Sequence, residues 1–319
     1  MKSKTKLTLA YFGSPYFSAL FLEKILSDPD LKKIIDIKLV VTQPDKPKGR
    51  SRILTETPVK QVAKNHNLEI FEIENPEWFK NLKLKIKNFD LCLVYAFSKI
   101  IPKDLLKIPK LGFWNIHPSL LPKYRGPSPI AYPLIFGEKE TGVTIIKMDE
   151  KIDHGPIIAQ EKIKIEDADR RPDLEKKLTD LGFKIFKRTV LEKDSPFINQ
   201  NHAQATYTRL LKKQNGFIPL SVLKKALKNK PLKFEELPEI LKIKNLKFKI
   251  KNSPKIIYDY FRGLYPWPGL WTILSSGKRL KIIDMNFDFT CSTLHITRVK
   301  LEGKKEVDFE TFNRAYQVF

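Results

Sequence analysis

An open, doubly wound α/β domain of mostly parallel strands, followed by a small β-barrel, is the architecture the sequence predicts. Three observations lead there. The first half of the 319 residues alternates short apolar runs with helical patterns. Those runs are continuously apolar, as strands covered on both faces must be. Past residue 204 the texture changes to a Lys-rich stretch. From Tyr258 onward come short β-like runs broken by Gly and Pro, the marks of a small barrel or sandwich.

Taken in order, residues 7–12 read as a buried strand. Ser14 is the expected N-cap and Pro15 the first helical residue of a helix over 16–26. Residues 37–41 are a strand, 58–65 a helix and 69–73 a strand. Residues 91–96 are strongly apolar and β-prone, 102–106 form a short helix, and 112–116 another buried strand. Residues 144–148 and 157–165 read as strands at the far edge of the sheet. Over 172–191, Leu174, Leu178, Leu181, Ile185 and Val190 fall close to helical spacing. Residues 194–204 lack periodicity and read as a linker, giving domains over 1–193 and 207–319 joined by 194–206. Within the second, residues 212–255 hold 13 Lys against three Glu. No internal repeat is evident.

Composition narrows the function classes. A hydrophobic fraction of 42% supports a sizeable core in each domain and excludes wholesale disorder. With two cysteines, Cys92 and Cys291, a thiolate zinc site and a disulfide framework are both excluded, and a reducing cytoplasm is the default. The basic N-terminal residues and the apolar run after them imitate a signal peptide. However, Gly13-Ser14-Pro15 splits that run and no small-residue cleavage site follows, so neither leader nor membrane span is expected. A net charge of +23 favours a polyanionic partner, although Lys makes up most of the 59 basic residues, as a compositional bias would also give.

Ligands of open α/β sheets bind beyond the carboxyl ends of the strands. Asn115 and His117 lie at such an end and, alternating, on one side of their strand. A stiff loop follows, Pro118-Ser119-Leu120-Leu121-Pro122 and then Tyr124-Arg125-Gly126-Pro127. An amide and an imidazole aimed into one crevice can hold a carbonyl oxygen as charge develops, and the imidazole can move a proton. A carboxylate is wanted to orient the ring. Asp149, Glu150 and Asp153 are candidates, with Gly155 allowing close backbone approach. Trp267 and Trp271 read as core residues; His66, His154, His202 and His295 fall outside the catalytic set. No phosphate-cradling glycine motif occurs.

The stretch Asn115-Ile116-His117-Pro118-Ser119-Leu120-Leu121-Pro122, with Arg125-Gly126 and Asp153-His154-Gly155, resembles the signature of the folate-dependent formyltransferases. Phe12-Gly13-Ser14-Pro15, the basic loop Val41-Thr42-Gln43-Pro44-Asp45-Lys46-Pro47-Lys48-Gly49-Arg50, and Tyr265-Pro266-Trp267-Pro268 are similar to the branch of that family acting on a charged tRNA. The resemblance implies a Rossmann-like catalytic domain and an OB-like C-terminal barrel. It implies 10-formyltetrahydrofolate as formyl donor, the α-amine of initiator methionyl-tRNA as acceptor, and no metal. Asn115, His117 and Asp153 would be catalytic, and Ser119, Leu120, Leu121 and Pro122 would contact the folate. Lys46, Lys48, Arg50 and Arg52, spaced two apart, would line one side of an extended arm that tracks acceptor-stem phosphates, Arg50 leading. A cytoplasmic monomer is expected.

Two departures stand out. The family's usual Ala-Tyr-Gly beside the expected pterin pocket is replaced by Ala96-Phe97-Ser98, and residues 214–256 are a Lys-rich insertion. Two other functions fit the residues: formyl transfer to a small-molecule amine, or RNA binding by a chain with a retired active site. The first has no use for the basic arm, and the second has no need of Asn115, His117 and Asp153.

Overall fold

The computed structural model describes residues 6–48, 53–74, 77–192, 196–242 and 253–319. Elements run β1 (Leu7–Gly13), α1 (Tyr16–Ser27), α2 (Leu31–Ile34), β2 (Ile35–Thr42), β3 (Lys46–Lys48), β4 (Ile53–Thr55), α3 (Pro58–Asn65) and β5 (Glu69–Glu72). Then follow α4 (Trp78–Lys85), β6 (Leu91–Tyr95), α5 (Lys103–Leu106), β7 (Phe113–His117), α6 (Ala131–Ile135), β8 (Glu140–Lys147), β9 (Ile157–Lys164) and α7 (Arg171–Glu192). The remainder comprises α8 (Leu220–Leu227), α9 (Ser253–Leu264), β10 (Leu270–Ile273), β11 (Arg279–Asp288), β12 (Thr293–Leu301), β13 (Glu306–Asp308) and α10 (Phe309–Tyr316). Two compact units result. The first is Met1–Pro127, Thr141–Ile163 and Glu175–Tyr207; the second is Ser128–Glu140, Lys164–Leu174 and Thr208–Phe319.

The first unit carries a seven-stranded sheet ordered β5-β2-β1-β6-β7-β8-β9. Strands β5 through β7 in that order pair in parallel, and β8 runs antiparallel to β7. The apolar runs are continuous because both faces are covered. On one face Ala10, Phe12, Cys92, Val94 and Phe113 pack with Trp78 and Leu82 of α4 and Leu105 and Leu106 of α5. On the other, Tyr11, Phe21, Tyr95 and Phe186 are fully buried, with Phe21 against the rings of Phe183 and Phe186 from α7. The buried hydroxyls are satisfied: Tyr11 donates to the Ser18 carbonyl at 2.8 Å, and Tyr95 meets Thr179 Oγ1 at 3.2 Å. Burial raises the pKa of both phenols, so they stay neutral hydrogen-bonding groups.

The second unit carries an antiparallel sheet ordered β10-β11-β12-β13. Alternation runs along β12 on either side of a break at Thr297–Arg298, where the register with β11 shifts: Leu294, Ile296, Val299 and Leu301 point inward and His295, Arg298 and Lys300 are exposed. Helix α9 supplies the buried Arg262, whose guanidinium bonds Asp259 Oδ1 and the carbonyls of Glu166 and Asp169. Among the described residues no helix is long and apolar enough to cross a membrane.

Local expectations were corrected in four places. Helix α1 is preceded by Pro15 with no side-chain cap; Ser14 instead turns its hydroxyl to Thr42 Oγ1 and accepts from the Gln43 amide. Residues 258–264, read as β-like, are the second half of α9. Trp267 is 52% exposed rather than core. The basic arm is not one extended segment. It is a hairpin in which Lys46 pairs with Thr55, Pro47 with Leu54 and Lys48 with Ile53, while Arg50 and Arg52 lie outside the described residues.

Candidate active site

Strand β7 ends at His117, and its parallel pairing with β6 fixes which ends of the strands lie together. Alternation puts Asn115 and His117 on one side, and Asp153 reaches both. Asn115 Nδ2 donates to Asp153 Oδ1 at 3.2 Å, and His117 Nδ1 lies 3.5 Å from the same oxygen. The other carboxylate oxygen accepts the Gly126 amide at 2.7 Å. Of the three candidate acids, Asp153 therefore faces the histidine. Asp149 pairs instead with His154 at 2.6 Å, and Glu150 is exposed. The His117 ring is 3% exposed, and its Nε2 lies 3.1 Å from the Tyr124 carbonyl, which can only accept.

The backbone that delivers these groups is strained. Asp153 has φ 47° and Tyr124 φ 62°, left-handed values that L residues rarely adopt. The Tyr124 conformation aims its carbonyl at His117. Gly126 (φ 106°) takes a conformation closed to side chains. At Gly155 a Cβ would sit 1.9 Å from the Lys147 carbonyl oxygen, so the close approach expected there is real. The Ala96-Phe97-Ser98 departure falls on the same kind of backbone: Ala96 has φ 55° and Ser98 φ 61°, where glycine costs least. Phe97 is 2% exposed and packs edge-on against Phe12 and Trp78, an apolar setting in which a tyrosine hydroxyl is not needed.

The loop after His117 is pinned to the sheet. Thr144 Oγ1 donates to the Ser119 carbonyl at 2.6 Å and accepts the Leu121 amide at 3.1 Å, while Gln160 Nε2 donates to the Leu121 carbonyl at 2.9 Å. The Ser119 hydroxyl donates to the Lys123 carbonyl at 2.7 Å. Ser119 and Leu121 are buried; Leu120 and Pro122 keep partial exposure and can meet a ligand through their side chains. The Leu121–Pro122 peptide is cis.

Sequence reasoning missed what lies behind Asp153. Gln200, 5% exposed, donates from Nε2 to the carbonyls of Asp153 at 3.0 Å and Gly155 at 2.7 Å. Its Oε1 accepts from Arg125 Nε at 3.2 Å and Nη2 at 2.6 Å. Arg125, 1% exposed, also places Nη2 2.8 Å from His202 Nδ1, and the His202 ring stacks on His154 at 3.9 Å. No periodicity marks Gln200 in the sequence, and no local signal could have found it. Among the described residues no cluster of His, Cys, Asp or Glu is arranged to hold a metal.

A fixed amide, imidazole and carboxylate at a strand end form an acyl-transfer constellation, with donors for a developing oxyanion and a group to move a proton. The sequence profile of the formyl transferase family matches residues 10–190. The chain belongs to that family and is an enzyme of its kind. Two relatives illustrate its neighbours. The methionyl-tRNA formyltransferase of Caldicellulosiruptor saccharolyticus is 39% identical over 88% of this chain and 79% of that protein. That of Staphylococcus aureus strain N315 is 34% identical over 86% of this chain and 78% of that protein. Among solved structures, the N-formyltransferase of Helicobacter canadensis, in complex with folinic acid and dTDP-3-aminofucose, aligns at a TM-score of 0.58 and 19% identity over 88% of each chain. At that identity the likeness speaks for the fold.

Proposed function

We propose that this chain transfers the formyl group of 10-formyltetrahydrofolate to the α-amine of initiator methionyl-tRNA. The observation that carries the reading is the meeting of Asn115, His117 and Asp153 at the end of β7. In it, the neutral amine attacks the formyl carbon and a C–N bond forms. Asn115 donates its other Nδ2 hydrogen to the resulting oxyanion, the protonated His117 ring gives up its contact with the Tyr124 carbonyl to donate from Nε2, and Asp153 orients that ring. The bond to the folate nitrogen then breaks, and the amine's proton passes to that leaving nitrogen. Ser119, Leu120, Leu121 and Pro122 hold the folate, Leu120 and Pro122 by their half-buried side chains, on a loop that the buried Ser119 and Leu121 pin to the sheet. Catalysis rests on positioning and polar donors, with no metal ion required.

The acceptor class rests on the relatives, which share more than three-quarters of their length with this chain, and on charge. Lys46, Lys48, Arg50 and Arg52 contact acceptor-stem phosphates. The domain over 207–319 adds a second surface, where Trp271, Lys281 and Lys300 stand in register across β10, β11 and β12, and Arg279 covers the Trp271 ring at 4.9 Å. Residues 1–193 carry the chemistry, and 194–206 both connect the domains and support the site through Gln200. The enzyme works as a cytoplasmic monomer, where charged tRNA and folate are available.

The test is formylation of methionyl-tRNA by 10-formyltetrahydrofolate, wild type against His117→Ala. The variant should fold and turn over roughly 10²–10⁴ times more slowly, the span of a general acid–base group. Formylation of an amino-sugar nucleotide but not of methionyl-tRNA would reassign the acceptor to the small amines.

A further inference from the structure

We propose that Gln200 is a positioning residue for the reaction: it holds Asp153 in its left-handed conformation and so aims the carboxylate at His117 and Asn115. The inference rests on the roles given above to those three residues. Its own support is the bonding of the Gln200 amide. A primary amide has two N–H donors and an oxygen with two lone pairs, and in Gln200 all four are used. The two donors go to the carbonyls of Asp153 and Gly155, and the oxygen takes two guanidinium N–H groups of Arg125. The orientation of the amide follows from its partners, since carbonyls only accept and a guanidinium only donates. Gln200 thereby fixes the two carbonyls that flank His154, and with them the backbone from which the Asp153 side chain reaches Asn115, His117 and the Gly126 amide. Arg125 is a rigid base for this arrangement because its own amide is tied to the Thr206 carbonyl at 2.9 Å.

Gln200→Glu is the informative variant. Glutamate keeps the length and the pairing with Arg125, but it presents an acceptor where two carbonyls need donors. Asp153 should then leave its place. Single-turnover formylation of methionyl-tRNA by 10-formyltetrahydrofolate should fall by about 10²-fold, the usual cost of misplacing a reacting group by about 1 Å, with the KM of neither substrate much changed. In an Asp153→Asn background the same change should cost almost nothing, because the residue acts through Asp153. Rates that multiply across the two variants would overturn the proposal.

A second readout needs no substrate. Hydrogen exchange at the Gly126 amide, held by Asp153 Oδ2, should accelerate in Gln200→Glu while amides of β1 and β6 keep their protection. Unchanged Gly126 exchange would also overturn the proposal, whereas failure of wild type to formylate methionyl-tRNA would count against the functional reading alone. Should β1 and β6 lose protection as well, Gln200→Met, equal in length and uncharged, takes the place of the first variant; collapse of both would make Gln200 a folding residue and refute the assignment.

Discussion

His202 lies between the Arg125 guanidinium and the His154 ring. Arg125 Nη2 can only donate, so at 2.8 Å the His202 Nδ1 must accept and the ring's proton sits on Nε2. Its pKa is lowered from the ordinary 6.5, first by loss of solvation against its neighbours and then by His154, Arg125 and Lys151, with Asp149 opposing. The sign follows from linkage. Below about pH 6.5 the unfolded chain protonates this histidine more readily than the folded one, so the folded state loses stability as the pH falls through that value. In His202→Gln this dependence disappears. The stability of wild type relative to the variant, from denaturant midpoints, should therefore shrink between about pH 7.5 and about pH 5.5. A difference that does not change with pH would mean that the ring titrates alike in both states. The residue scale also shows where sequence is legible. Asn115 and His117 could be read because strand alternation and a strand end define a direction. Gln200 could not, because its role is set by carbonyls distant in the chain.

Among the elements, the β3–β4 hairpin has the plainest consequence. It is anchored at its base, where Lys60 of α3 bonds Asp45 at 2.9 Å and Glu72 at 3.0 Å and is held protonated above its ordinary range, chiefly by the Asp45 hydrogen bond. Strand residues Lys46 and Lys48 on a clamped base are suited to phosphate contact. Changing Lys46, Lys48, Arg50 and Arg52 together to Ala should lower the magnitude of the slope of log affinity for tRNA against log salt by up to about 3–4 units, at roughly 0.9 per contact. Formylation should fall with it, while folate binding persists. Unchanged tRNA affinity and formylation would remove the arm from the interface. The hairpin was missed in the sequence because Pro44 and Pro47 read as loop punctuation. The second half of α9 was missed for the opposite reason. Ile256, Ile257, Tyr258, Tyr260 and Phe261 all favour strands locally, yet every residue of that helix except Lys255 is buried, and packing overrode propensity. The parallel sheet was legible throughout, since continuous apolar runs of strand length have few other readings.

At the scale of the whole molecule, the two compact units are not two halves of the chain. Ser128–Glu140 and Lys164–Leu174 come from the N-terminal half but belong with Thr208–Phe319. All five residues of α6 are buried, and a Cβ on Gly263 of α9 would lie 2.5 Å from the Ile135 side chain and 2.7 Å from the Ala131 carbonyl. A fragment ending at residue 193 would keep α6 and lose α9. Exposing Leu134 and Ile135 alone costs about 3–6 kcal/mol at roughly 1.5–3 each, set against a typical total of about 5–15. The fragment should unfold well below the full chain in a thermal scan, or aggregate. A monodisperse fragment with an unchanged midpoint would show that α6 is covered some other way.

That threading also governs how such a chain can be inherited. A genetic crossover between residues 193 and 207 would exchange α9 and Arg262 for foreign counterparts while keeping the native stretches at 128–140 and 164–174. The newcomer would have to offer a glycine opposite Ala131 and Ile135 and a guanidinium beneath the carbonyls of Glu166 and Asp169. Few sequences do both. Recombination at the apparent boundary is thus penalised from within the ancestral N-terminal half, and the two parts are bound to evolve as one heritable block, each substitution at α6 screened against α9.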